Sequence, residues 1–184
     1  MTPLRRSNRR SGFSIVEVAI LAVLLLVAVG GLSGAVLSSL RLSHSSEESA
    51  RADQAAHLKA AELQRVVFGE IFERYNNSTL LDPLVGVSPG GAFDVEGLTP
   101  RRDDADGRVG RIVFPVALDV SGAERLDENV SDVRLGMPDG LDLNGDGVLG
   151  DASGDYQLLP VRLILEWSGV GGARIYELDL LLQP

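Results

Sequence analysis

A charge-free run of 23 residues, positions 18–40, constrains this chain more than any other feature. It contains only Ala, Val, Leu, Ile, Gly and Ser. A helix of that length crosses a hydrocarbon core of roughly 30 Å. One carboxylate, Glu17, stands directly before it. A charge held in lipid costs several kcal/mol, so an acid at this place implies a function and a partner. A secretory signal would carry a shorter apolar stretch, about 7–15 residues, without a Glu at its start. Ahead of Gly12 the only charges are Arg5, Arg6, Arg9 and Arg10. They fit the positive-inside rule, which keeps the N-terminus cytoplasmic and sends the C-terminal bulk outward.

The order Gly12, Phe13, Ile15-Val16, Glu17 and then a long apolar run resembles the type IV prepilin signal, shared by the pseudopilins of type II secretion. The resemblance covers only the N-terminal part of the chain. It implies that a prepilin peptidase cuts between Gly12 and Phe13 and that the new amino terminus is methylated at Phe13. It also implies an assembly role for Glu17. In a helical filament, Glu17 of one subunit would pair with the free amino group of a neighbour. A misaligned subunit would leave that charge unpaired, so the pair would select register.

Composition bounds the rest. The 184 residues allow one modest globular domain beyond leader and membrane helix. Loss of the leader would take the formal net charge from −9 to −13. So acidic an exterior argues against a nucleic-acid surface, which needs Lys and Arg to neutralise phosphates. There are no cysteines. Many pilins close their C-terminal region with a disulfide, so the chain departs from that pattern and needs another clip.

The first helix is expected to continue past the membrane, without a break, to Tyr75. From Ser43 to Tyr75 there is no proline, and Ala, Glu, Gln, Arg and Leu dominate. Ala56, Ala60, Leu63, Val67 and Ile71 recur at three- and four-residue spacing, with Phe68, Phe72 and Tyr75 beside them. Glu62, Arg65 and Glu73 take the other side. Gly30, Gly31 and Gly34 interrupt the apolar half, each at a cost of about 1 kcal/mol against Ala. They serve either close helix packing in lipid or a weak point for bending, and the absence of a nearby proline favours packing.

Pro83, Pro89-Gly90-Gly91 and Thr99-Pro100 mark a long loop after the helix. Pro115 makes residues 109–120 an edge or broken strand. In residues 160–167, Val161, Leu163, Leu165 and Trp167 alternate with Arg162, Ile164 and Glu166. In residues 174–182, Tyr176, Leu178, Leu180 and Leu182 do the same. Residues 168–172 make the turn of an antiparallel hairpin, whose apolar face should pack on the helix stripe. The expected fold is α+β and pilin-like, a long N-terminal helix packed on a small antiparallel β-sheet. Its parts are a leader (1–12), a transmembrane segment (13–42) and an extracytoplasmic domain (43–184). That domain divides into helix 43–75, loop 76–107 and sheet region 108–184.

A second informative segment is Asp142-Leu143-Asn144-Gly145-Asp146-Gly147-Val148. Oxygen-bearing side chains at alternate positions with Gly at the sixth match the first half of an EF-hand-type calcium loop. Asp142, Asn144 and Asp146 would give side-chain oxygens, Val148 its carbonyl, and Asp151 or Asp155 a further carboxylate. Ser153 stands at the twelfth position, where a bidentate acid belongs. Two readings stay open: a Ca2+ site, or an Asp/Asn/Gly turn stable without metal. Major pseudopilins resemble the first in using a C-terminal calcium loop. Asp103-Asp104-Ala105-Asp106-Gly107 reads as a solvated turn.

No nucleophile motif or zinc spacing is visible, and we read His44 and His57 as unpaired on the helix, so no enzyme is expected. The sequence reads as a minor pilin or pseudopilin of a type IV pilus or type II secretion pseudopilus. It would sit in the inner membrane with a periplasmic C-terminal domain, and then in a filament. The expected partners are the prepilin peptidase, other pilin or pseudopilin subunits, the inner-membrane assembly platform and membrane lipid, with no nucleic acid. The alternative is a membrane-anchored, calcium-dependent binding domain outside any filament.

Overall fold

The computed structural model describes residues 14–76, 90–104 and 106–184. The expected leader, Phe13 and residues 77–89 of the expected loop lie outside the described residues. The chain divides into two compact units, Met1–Ser43 and His44–Pro184.

Helix α1 spans Ile15–Leu63. Ser14 caps it: its carbonyl accepts from the Val18 amide at 3.1 Å and its hydroxyl from the Val16 amide at 3.4 Å. Glu17 lies in the first turn, where the partial positive charge of the helix end favours an acid. In the first unit the helix is exposed all round, and it is long and apolar enough to cross a membrane. In the second unit Ala52, Ala56, Ala60 and Leu63 are buried at four- and three-residue spacing. The three alanines carry almost no bulk and join the core that the helix shares with the sheet.

The helix does not continue unbroken to Tyr75. After Leu63 the bonds tighten to Arg65 N–H to Glu62 O (3.0 Å) and Val66 N–H to Leu63 O (3.2 Å). Val67 is then extended, with φ −57° and ψ 126°. A 3-10 turn, Phe68–Glu70, leads into the short helix α2, Ile71–Tyr75. Val66, Val67 and Gly69 are weak helix formers. The break swings Val67 out to 66 % exposure, while Ile71, Phe72 and Tyr75 enter the core. The expected stripe therefore holds up to Leu63 and is reset beyond it.

Strands β1 (Ala92–Phe93), β2 (Gly110–Val113), β5 (Leu159–Gly169) and β6 (Gly172–Leu182) form one antiparallel sheet in the order β1-β2-β5-β6. Strands β3 (Val116–Leu118) and β4 (Glu124–Leu126) form a separate pair. Pro115 marks the point where the chain leaves the first sheet for the second. The strand before it lies inside the sheet rather than at its edge.

Leu159, Val161, Leu163, Leu165 and Trp167 on β5 share one core with the α1 alanines, Leu63, Ile71, Phe72 and Tyr75. Each of the fully buried leucines contributes roughly 1.5–3 kcal/mol. The opposite side of β5 is buried too. The 3-10 turn Val133–Leu135 lies against it, and Arg162 is covered there. The hairpin turn narrows to Val170-Gly171, closed by the Gly169–Gly172 pair. Glu48 of α1 holds this tip, accepting from the Trp167 indole (3.4 Å) and the Val170 amide (3.2 Å). A Cβ on Gly169 would stand 2.5 Å from that carboxylate, so a side chain there would displace Glu48 from the tip.

Candidate functional site

Two regions carry the residues singled out in the sequence. The first is the start of α1. Glu17 is exposed, and among the described residues it has no hydrogen-bonding or ionic partner. Around it Ile15, Val16, Ile20, Val23 and Leu24 are also exposed, as are the apolar residues on to Leu42. Gly30, Gly31 and Gly34 have open space where a side chain would stand. An exposed apolar surface of this extent suits lipid or the faces of other apolar helices. Gly12 and Phe13 lie outside the described residues.

The second region is the loop of residues 142–155. Its local structure is a chain of side-chain-to-backbone turns. Asp142 accepts from the amides of Gly145 (2.6 Å) and Gly147 (2.9 Å). Asn144 accepts from the Asp146 amide at 3.0 Å, and Asp146 from the Val148 amide at 2.7 Å. Short polar side chains favour such turns, and Gly145 and Gly147 both take φ +80°, where other residues would be strained.

Part of the expected donor set stands together: the Asn144 side-chain amide lies 3.4 Å from Asp146 and 3.2 Å from Asp155. Asp151 turns away to Arg125, 2.8 Å from its guanidinium. Burial raises the Asp151 carboxyl pKa, but hydrogen bonds from Ser153 and Arg125 outweigh it and leave the group below its ordinary range. Ser153 is itself engaged, donating to Asp151 (2.6 Å) and accepting from the Leu126 amide (2.9 Å). Asp155 is the carboxylate that does reach the loop, accepting from the Asn144 side-chain amide at 3.2 Å. Among the described residues no three His, Asp or Glu side chains stand together as a metal site.

A residue that the sequence gave no reason to notice organises this loop. Glu128 is 1 % exposed. One carboxylate oxygen accepts from the Leu143 (2.6 Å) and Asn144 (3.2 Å) amides, and the other from the Gly150 amide (2.8 Å). It stands in the polar run Asp127-Glu128-Asn129, where an acid reads as solvated and no periodicity marks it as buried.

Two smaller expectations need comment. His57 is not unpaired: its Nε2 lies 3.5 Å from Asp53, one turn earlier on α1. Asp53 also accepts from the Tyr176 hydroxyl at 2.6 Å, which ties β6 to the helix. In the acidic stretch near residue 103, Asp103 is paired with Arg101 at 2.6 Å. No protein-family model, curated protein or solved structure matches the chain.

Proposed function

We propose that this chain is a minor pilin or pseudopilin subunit, anchored in the inner membrane and assembled into a type IV pilus or type II secretion pseudopilus. The observation that carries the reading is Glu17. It is an acid with no side-chain partner among the described residues, in the first turn of a helix whose apolar residues are exposed throughout the described part of the first unit. The basic stretch ending at Gly12-Phe13 stands immediately before it.

The mechanism follows from charge. Cleavage after Gly12 creates an amino group at Phe13, four positions from Glu17. Both charges would then enter a helix bundle in lipid, where neither is stable alone. Pairing Glu17 of one subunit with the amino terminus of the next relieves both costs and fixes the axial register. Leu63, Ile71, Phe72 and the β5–β6 hairpin would sit on the periplasmic side.

The test is the intact mass of membrane-extracted protein made with and without a prepilin peptidase. Loss of residues 1–12 plus one added methyl group, only when the peptidase is present, is the expected result. An unchanged mass in both preparations would leave a plain membrane anchor in its place.

A further inference from the structure

Loop 142–155 has half the sequence of a calcium loop, yet its backbone is arranged around anions. A cation gathers oxygens. Here amide N–H groups converge on the carboxylates of Glu128 and Asp142, and the Asn144 side-chain amide lies between Asp146 and Asp155. Glu128 also uses its backbone on the same loop. Its amide donates to the Gly150 carbonyl and its carbonyl accepts from the Leu141 amide, both at 3.0 Å. Every one of the Glu128 bonds runs to residues 141–150, so a single residue pins both ends of the turn sequence.

The surrounding packing fits that role. Gly140 has φ +84°, and a Cβ there would lie 2.5 Å from the Glu128 carbonyl oxygen. The loop can approach Glu128 this closely only because position 140 lacks a side chain. On the other side the Leu143 carbonyl accepts from the Gln157 (2.7 Å) and Leu158 (2.9 Å) amides, which connects the clamped turn to the start of β5. A carboxylate this deeply buried is costly unless its oxygens are hydrogen-bonded, and three backbone donors meet that demand.

We propose that Glu128 is an internal clamp that folds loop 142–155 without a divalent cation. The carboxylate does the work that a bound ion would do in a metal loop, by fixing the turns and joining them to the sheet. The disulfide-free C-terminal region thereby has a covalent-free and metal-free closure. This inference does not depend on the filament reading.

The experiment uses the full chain in detergent. Thermal unfolding and amide hydrogen exchange are followed in a chelator and in excess Ca2+, for wild type and Glu128→Gln. The wild-type midpoint is expected to be the same in both conditions. The Leu143, Asn144 and Gly150 amides are expected to be protected in both. Glu128→Gln should lower the midpoint by roughly 3–6 °C and speed exchange at those three amides about tenfold or more. A midpoint that rises by several degrees with Ca2+ overturns the proposal. So does a loop that exchanges freely in the chelator, or a Gln variant with unchanged protection. If Glu128→Gln does not fold, the wild-type exchange pattern in chelator decides alone.

Discussion

The hydroxyl of Tyr156 donates to the Phe68 carbonyl at 2.6 Å and accepts from the Phe72 amide at 3.3 Å, bridging the 3-10 turn and α2 from a distant part of the chain. The ring packs on Phe68 with centroids 5.0 Å apart. One phenol thus adds a second donor to the Phe68 carbonyl, which already accepts from the Ile71 amide, and gives the Phe72 amide a side-chain acceptor. Tyr156→Phe keeps the ring and removes both bonds. The Phe72 amide would lose its side-chain acceptor and the Phe68 carbonyl one of its two donors, at a cost of about 0.5–1.5 kcal/mol. Urea unfolding of the variant should show a lower midpoint with an unchanged slope. An unchanged midpoint would mean that water satisfies those groups equally well.

That bridge also explains which parts of the fold were legible in the sequence. The β5–β6 hairpin was readable because Val161, Leu163, Leu165 and Trp167 alternate with residues of the other face, and period two has no competing reading there. The helix up to Leu63 was readable from its alanine spacing. The break at residues 64–67 was not, because no proline marks it and its partner Tyr156 is distant in sequence. Arg162 and Ile164 were read as an outer face, yet both are buried, since the segment after β4 folds back over them. In the candidate sites, Glu17 stood out because lipid makes any acid conspicuous. Glu128 did not, because an acid among polar neighbours looks solvated until the loop closes over it.

Arg162 and Asp179 form an unequal pair across β5 and β6. The Arg162 side chain is 4 % exposed and that of Asp179 is 54 % exposed, with contacts of 2.6 and 3.1 Å. Removing the acid leaves a buried guanidinium short of a partner, whereas removing the base leaves a carboxylate that water can reach. Asp179→Ala should therefore cost more than Arg162→Met. Breaking a fully buried pair costs about 3–5 kcal/mol, and the half-exposed acid reduces this to roughly 1–3. A double-mutant cycle by urea unfolding measures the difference. Equal single-variant losses would contradict the argument.

Tyr75 sets a stability limit at high pH. Burial, then its hydrogen bond to Glu62 at 2.8 Å and the charge of that carboxylate, push the phenol from 10.0 up to about 12. The folded state therefore binds this proton more tightly than the unfolded chain does. The resulting stability is fully present below pH 10 and is lost as pH rises from 10 to 12. The Tyr156 and Tyr176 phenols are also raised, the first by burial and the second mainly by its bond to Asp53. All three tyrosines of the chain should thus ionise above pH 10 in the folded protein. Phenolate absorbance against pH tests this. A step of one tyrosine below pH 10 would show that at least one of these environments is open to water.

Replacing Glu17 separates an assembly residue from an incidental one. Glu17→Ala leaves Gly12 and Phe13 intact, so processing should proceed and the mature mass should differ only by the substitution. It removes the acid that would neutralise a neighbour's amino terminus in lipid. An unpaired charge there costs several kcal/mol, so incorporation into filaments should fall by about tenfold or more. Glu17→Gln keeps size and hydrogen bonding but not charge, and should show the same loss if charge pairing is what selects register. Site-specific cross-linking along α1, scored on processed protein alone, reads the effect. Normal cross-linking in both variants would make Glu17 an interfacial residue with no part in assembly. A loss in Glu17→Ala but not in Glu17→Gln would assign its role to packing or hydrogen bonding rather than to charge.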